Sequence, residues 1–177
     1  MWIPIKTTYH NELKIADFLT KEGLEWFIPM RYDAPDLAPQ EVRIKAPLVP
    51  AIHNLLFIHH DYSAEWGQWL TQACQYPTFF FPRERTGKEK ATITDREMQR
   101  FMQISNPDIA GTFFVTQELL KNKKTVWVQV TAGPLKGFQG KFIRYGKRHY
   151  VMLEITGISA LMCVRYRDVQ PIQIEET

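Results

Sequence analysis

Two cysteines in 177 residues, Cys74 and Cys163, are too few for a disulfide framework or a structural zinc set, which suits a reducing compartment, the cytoplasm by default. The opening Met1-Trp2-Ile3-Pro4-Ile5-Lys6 lacks a basic run ahead of an apolar one, and no uncharged apolar stretch nears the ~20 residues of a membrane span. Neither export nor membrane insertion is expected. A nucleophile elbow, a phosphate-binding glycine loop and a dinucleotide fingerprint are also missing. Histidines are scarce: His59 and His60 are adjacent and would face opposite sides of a strand, while His10, His53 and His149 fall in different elements, so no metal site is expected. Cys74 sits late in an expected helix behind Trp69 and Leu70, and Cys163 lies mid-strand between Met162 and Val164; both read as small core residues rather than nucleophiles. With no site-like constellation, the chain is not expected to be an enzyme or to need a cofactor.

What is present is the material of a folded protein: 45% hydrophobic, 13% aromatic and 23% charged residues. The net charge of +3 is unevenly spread, residues 1–118 carrying 12 Lys+Arg against 15 Asp+Glu and residues 119–177 carrying 10 against 4. Between Leu119 and Leu153 there are eight basic residues and no acidic one. Such an asymmetry suggests two modules with different partners.

The first module alternates strand and helix signals. A strand is expected over Trp2–Lys6, then a helix N-capped by Asn11, with Glu12 in its first turn, ended by Gly23. Glu25–Met30 reads as a second strand, Asp33–Gln40 as a Pro-rich loop, and Val42–His60 as two β runs forming a hairpin. Ser63 opens a second helix that Pro77 closes, and Thr78–Phe81 reads as a buried strand. Thr94 and Glu97 form a capping box for a third helix, with Ile93 and Met98 as its hydrophobic staple. Asn106-Pro107 breaks that helix, and 106–122 is the expected linker between modules at 1–105 and 123–177.

Beyond it the pattern is all β. Val126–Val130, Lys141–Tyr145, His149–Ile155, Leu161–Tyr166 and Val169–Ile172 are five short strands between glycine-rich turns, as in a small closed barrel. In Gly133-Pro-Leu-Lys-Gly137-Phe-Gln-Gly140-Lys141 the glycines supply turn conformations, Phe138 can plug a barrel end, and Gly140 allows the returning strand to bend closely across the first. Lys136, Lys141, Arg144, Lys147 and Arg148 alternate with Phe138, Phe142, Tyr145 and Tyr150, a pattern for tracking a nucleic-acid backbone or simply a solvated barrel surface over buried aromatics.

The run VWVQVTAGPLKGFQGKFIRY resembles a KOW motif, the strand-loop-strand unit of bacterial elongation factors and ribosomal proteins. Upstream, Trp2, Glu12, Phe27-Ile28-Pro29, Leu55-Leu56-Phe57-Ile58 and Ile93-Thr94-Asp95-Arg96-Glu97 resemble the NGN domain of the NusG family, so the likeness covers nearly the whole chain. Within that family the chain is most similar to the specialised UpxY-type paralogues of Bacteroides-like bacteria, linked to surface-polysaccharide operons. The resemblance implies an α+β protein: an N-terminal NGN α/β sandwich, mostly antiparallel sheet with flanking helices, and a C-terminal five-stranded, SH3-like KOW barrel. It implies a cytoplasmic, monomeric transcription elongation or antitermination factor that docks on the clamp helices of the largest RNA polymerase subunit. The KOW domain would contact nucleic acid or a ribosomal protein. The alternative is a KOW-type RNA- or ribosome-binding protein without a polymerase role.

Carried over residue by residue, the polymerase contacts implied are Trp2, Ile52, His53 and Leu55. Ile52-His53-Asn54-Leu55 stands where the family has Phe-Pro-Gly-Tyr, with aliphatic side chains in place of two aromatic anchors. Read from the residues alone, Trp2, Ile52 and Leu55 serve equally as core positions of alternate strands; a joint exposed patch would mark them as a docking surface.

Overall fold

In a computed structural model the described residues are 1–35, 39–83, 89–108, 112–116, 124–155 and 158–173. The chain divides into two compact units, Met1–Asp33 with Pro47–Gln99, and Ala34–Ala46 with Arg100–Thr177.

In the first unit, β1 (Trp2–Lys6), β2 (Glu25–Phe27), β5 (Leu55–His59) and β6 (Phe79–Phe80) form a four-stranded sheet in the order β2-β5-β1-β6. All its pairings are antiparallel, as expected for an NGN-like sheet. β1 and β5 pair along their whole length from Trp2↔His59 to Lys6↔Leu55. Cross-strand partners share a face, so Ile3, Ile5, Leu56 and Ile58 point to one side. There they join Ile15, Ala16 and Leu19 of α1 (Glu12–Lys21) and Leu70 of α3 (Ala64–Ala73) in one buried cluster. Trp2, Pro4, Leu55 and Phe57 are the buried residues of the opposite face.

Local signals explain the helix ends. Ser63 Oγ accepts from Trp66 N at 3.1 Å and so caps α3. Thr94 and Glu97 make both bonds of the capping box ahead of α4 (Asp95–Ile104), at 2.9 and 3.2 Å, and Ile93 and Met98 are buried as a staple should be. Asn11 does not cap α1 through its side chain, which instead donates to Thr8 O at 2.9 Å. Gly23 stops that helix with φ +71°, the left-handed conformation glycine enters freely.

Two expected elements are divided differently. Glu25–Met30 is not one strand: the chain turns at Ile28-Pro29, β2 joins the main sheet, and β3 (Met30–Tyr32) pairs with β4 (Leu48–Pro50) in a separate two-stranded ribbon. For the same reason the expected hairpin within 42–60 does not form. Gln40–Arg43 is a short helix, α2, while β4 and β5 belong to different sheets.

In the second unit, β8 (Val126–Val130), β9 (Gln139–Tyr145), β10 (Arg148–Ile155), β11 (Ile158–Val164) and β12 (Val169–Pro171) are the five expected strands. A sixth, β7 (Thr112–Thr116), comes from the segment expected as linker, which is therefore not all linker; it pairs antiparallel with β11, and the order is β12-β8-β9-β10-β11-β7. Residues 36–38 of the expected Pro-rich loop, and 109–111 and 117–122 of the linker, lie outside the described residues. Ile143, Tyr150, Met152 and Leu161 form a core cluster on one face of this sheet.

Candidate functional site

The four implied polymerase contacts do not form one patch. Trp2 and Leu55 are core residues, 5% and 2% exposed; Ile52 is half-buried and His53 exposed. Trp2 exchanges backbone hydrogen bonds with Ile93, both 2.8 Å, and its ring stacks on His59 at 4.8 Å. Leu55 lies opposite Lys6, four residues along β1, so roughly 13 Å separates it from Trp2's position. Burial thus makes Trp2 and Leu55 part of the sheet's framework, and Ile52-His53 is the part of the set that solvent reaches.

His59 was not singled out by sequence. Its Nδ1 lies 2.7 Å from Glu25 Oε2 and its Nε2 3.0 Å from Asp95 Oδ1, tying β2, β5 and the start of α4 together beside Trp2. Register could have found Glu25 opposite His59, but only with the strand pairing known.

At the other end of β1 the structure joins residues that sequence placed in separate elements. His10 Nδ1 and His53 Nδ1 are 3.1 Å apart, with rings edge-to-face at 4.4 Å. Glu12, 1% exposed, accepts from Asn54 N, and Asn54 in turn takes His10 N on its side chain at 3.1 Å and Thr7 N on its carbonyl at 3.0 Å. Sequence spacing gave no signal for this, because the β1–α1 and β4–β5 connections meet only through the β1–β5 register.

In the second unit the basic residues divide into three places. Lys136 is in the β8–β9 connection and Lys147 in the β9–β10 turn, at opposite ends of β9. Lys141, half-buried, is held by Glu154 at 2.6 Å. Arg144, Lys147 and Arg148 are exposed, and among the described residues none has a carboxylate within salt-bridge distance. Arg144 lies opposite His149, whose ring stacks on Phe142 at 5.3 Å; Tyr166, 71% exposed, closes on both at 6.0 and 5.7 Å. The cation-flanked aromatic group is therefore Phe142, His149 and Tyr166. Tyr150, expected among the interleaved aromatics, is a core residue, and Phe138 is buried at 6% exposure.

Glycine positions carry the turn. Gly133 and Gly137 have φ of +85° and +88°. Gly140 is required by space: a Cβ there would lie 2.6 Å from Val151 Cγ1 and 2.7 Å from Met152 O, so the close approach is to β10 rather than to β8.

A cleft of about 420 Å3 in the same unit is lined by Gly133, Pro134, Cys163, Arg165 and Asp168 among others. It does not gather a nucleophile with a base. Arg165 is engaged by Asp168 at 2.5 Å, and Cys163 is a free, half-buried thiol. Burial pushes the Cys74 thiol up, which keeps it protonated in the first unit's core. No described helix is long and apolar enough to cross a membrane.

No family model matches the chain, and no curated protein does. Among solved structures it is similar to NusG of Thermotoga maritima, a structure described for its domain interaction, with 14% identity over 97% of both chains and a TM-score of 0.50. The MjSpt4:Spt5 complex matches at 18% identity over 99% of this chain and 100% of that one, but its TM-score of 0.27 carries no argument. The chain thus has a NusG-like fold, with the two units and the strand orders described above.

Proposed function

We propose that the chain is a non-enzymatic transcription elongation or antitermination factor of NusG type. Its NGN-like part, 1–105, docks on the clamp helices of the largest RNA polymerase subunit, and its KOW-like part, 123–177, contacts a second partner. The observation that carries this is the fold likeness to NusG along 97% of both chains, which includes both units rather than a lone barrel. The KOW-like run with its space-filled Gly140 supports it independently. Binding acts by preference: a factor with higher affinity for the elongating polymerase than for its paused state shifts that equilibrium, whereas equal affinity shifts nothing. Kinship to the UpxY type would direct this activity to surface-polysaccharide operons.

With Trp2 and Leu55 in the core, the docking surface is read around Ile52 and His53. A single-round transcription assay with the polymerase of the same organism tests the reading: the full chain is expected to shorten pauses, and Ile52→Glu to lose most of that effect at unchanged melting temperature. Unaltered pausing at saturating chain would reject it.

A second reading, RNA binding through the barrel, is favoured by Arg144, Lys147 and Arg148 beside the Phe142–His149–Tyr166 group. Filter binding of the full chain to a mixed-sequence RNA should then weaken steeply with salt, because each neutralised phosphate releases counterions. Changing those three cations to Gln should flatten the slope; no retention at low salt removes RNA from the barrel's partners.

A further inference from the structure

We propose that His10, Glu12 and His53 form a binding site for a divalent transition-metal ion of the zinc class, with a coordination position left open. The donor set consists of two imidazoles and a carboxylate whose ligand atoms all lie within 4.8 Å of one another. Two nitrogens bound to one tetrahedral zinc at bond lengths of ~2.0–2.1 Å stand roughly 3.3–3.4 Å apart. The two Nδ1 atoms are 3.1 Å apart, so a shared ion needs only a slight parting of the rings. Drawing in the carboxylate takes a movement of about 1.5 Å, the gap between 4.8 Å and that same tetrahedral separation. His10 and His53, both exposed, are the side chains free to make it.

Backbone strain supports the assignment. Tyr9, His10 and Asn54 are the described non-glycine residues with positive φ, at 56°, 53° and 63°, and all three belong to the two connections that meet here. For Tyr9 and His10 this conformation is unfavourable and persists where surrounding bonds over-determine it, as at ligand sites. The three hydrogen bonds centred on Asn54 hold these connections together, and the Nδ1 atoms of two imidazoles stand 3.1 Å apart beside them. Charge points the same way: Glu12 is almost wholly buried, and among the described residues no cationic group forms a salt bridge with it, so a bound cation would supply the missing counter-charge. Two imidazoles select zinc, nickel or copper over magnesium and calcium, which prefer all-oxygen sites. Three protein ligands leave a fourth position for water or for a donor atom of a partner.

The test is calorimetric titration of the full chain with Zn2+, and separately with Mg2+, in a non-chelating buffer, with Co2+ absorption as a spectroscopic check. One Zn2+ per chain is expected, no response to Mg2+, and visible d–d bands of a four- or five-coordinate cobalt site. His10→Ala and His53→Ala should each weaken Zn2+ about 100-fold, the upper end of what even an outer-shell loss does. Glu12→Gln, which keeps an oxygen for Asn54 N, should weaken it about 10-fold at unchanged circular dichroism. No saturable Zn2+ binding, or equal binding in all three variants, would overturn the proposal. The Zn2+ titrations need no polymerase and the pausing assay needs no added metal, so failure of the polymerase reading and failure of this one are told apart.

Discussion

The two units differ in how far along the chain their strands reach for partners. In the second, β8, β9 and β10 each pair with the next strand in sequence, Gly137 and Gly146 shaping the first two connections with positive φ, while only the edge strands β7 and β12 reach far, to β11 and β8. In the first, β1 pairs with β5 and β6, so Trp2 meets His59 and Ile5 meets Phe80. Local pairing is encoded by turn chemistry and alternation. Distant pairing is encoded by which faces are apolar, and that leaves partners open until the whole unit is assembled.

If distant pairing holds the first unit, the largest loss should come from a side chain buried where the non-local strands meet. Phe57 is fully buried, on β5 between β1 and β2. Phe57→Ala is expected to lower stability by about 3–5 kcal/mol in urea unfolding. A loss below about 1 kcal/mol would show that the site collapses around the void. In the second unit the corresponding lesion is an added atom. Gly140→Ala places a methyl against Val151 and the Met152 carbonyl and should destabilise by about 1–3 kcal/mol, read by the same method.

The capping box tests a signal independent of pairing. Thr94→Ala removes the acceptor for Glu97 N and should reduce stability by about 1 kcal/mol. The smallest effect is expected at Lys141, whose bond to Glu154 is one-third exposed on both sides. Lys141→Met should change stability by about 0–1 kcal/mol, and a larger loss in a melting experiment would mean that the pair anchors the sheet.

The same contrast governs what could be read from sequence. All five strands of the barrel pattern were legible, because each is bounded by turn residues and alternates. β7 was not, since Thr112–Thr116 carries no turn signal tying it to β11, its partner more than forty residues on. Helix starts at Ser63 and Thr94 were legible from their caps. The division of Glu25–Tyr32 between two sheets was not, because Ile28-Pro29 reads equally as a strand interior or a corner. Candidate sites followed suit. Arg144, Lys147 and Arg148 are on the surface as their charge requires, whereas the meeting of His10 with His53 depends on the β1–β5 register, which adjacency in sequence does not contain.

The central claim is polymerase docking through the first unit, and gel filtration of purified full chain with core RNA polymerase of the same organism tests it most directly. The account predicts co-elution at one chain per polymerase, lost in Ile52→Glu at unchanged melting temperature. Elution of the wild-type chain at its own volume, with none in the polymerase peak at micromolar concentrations, would contradict it.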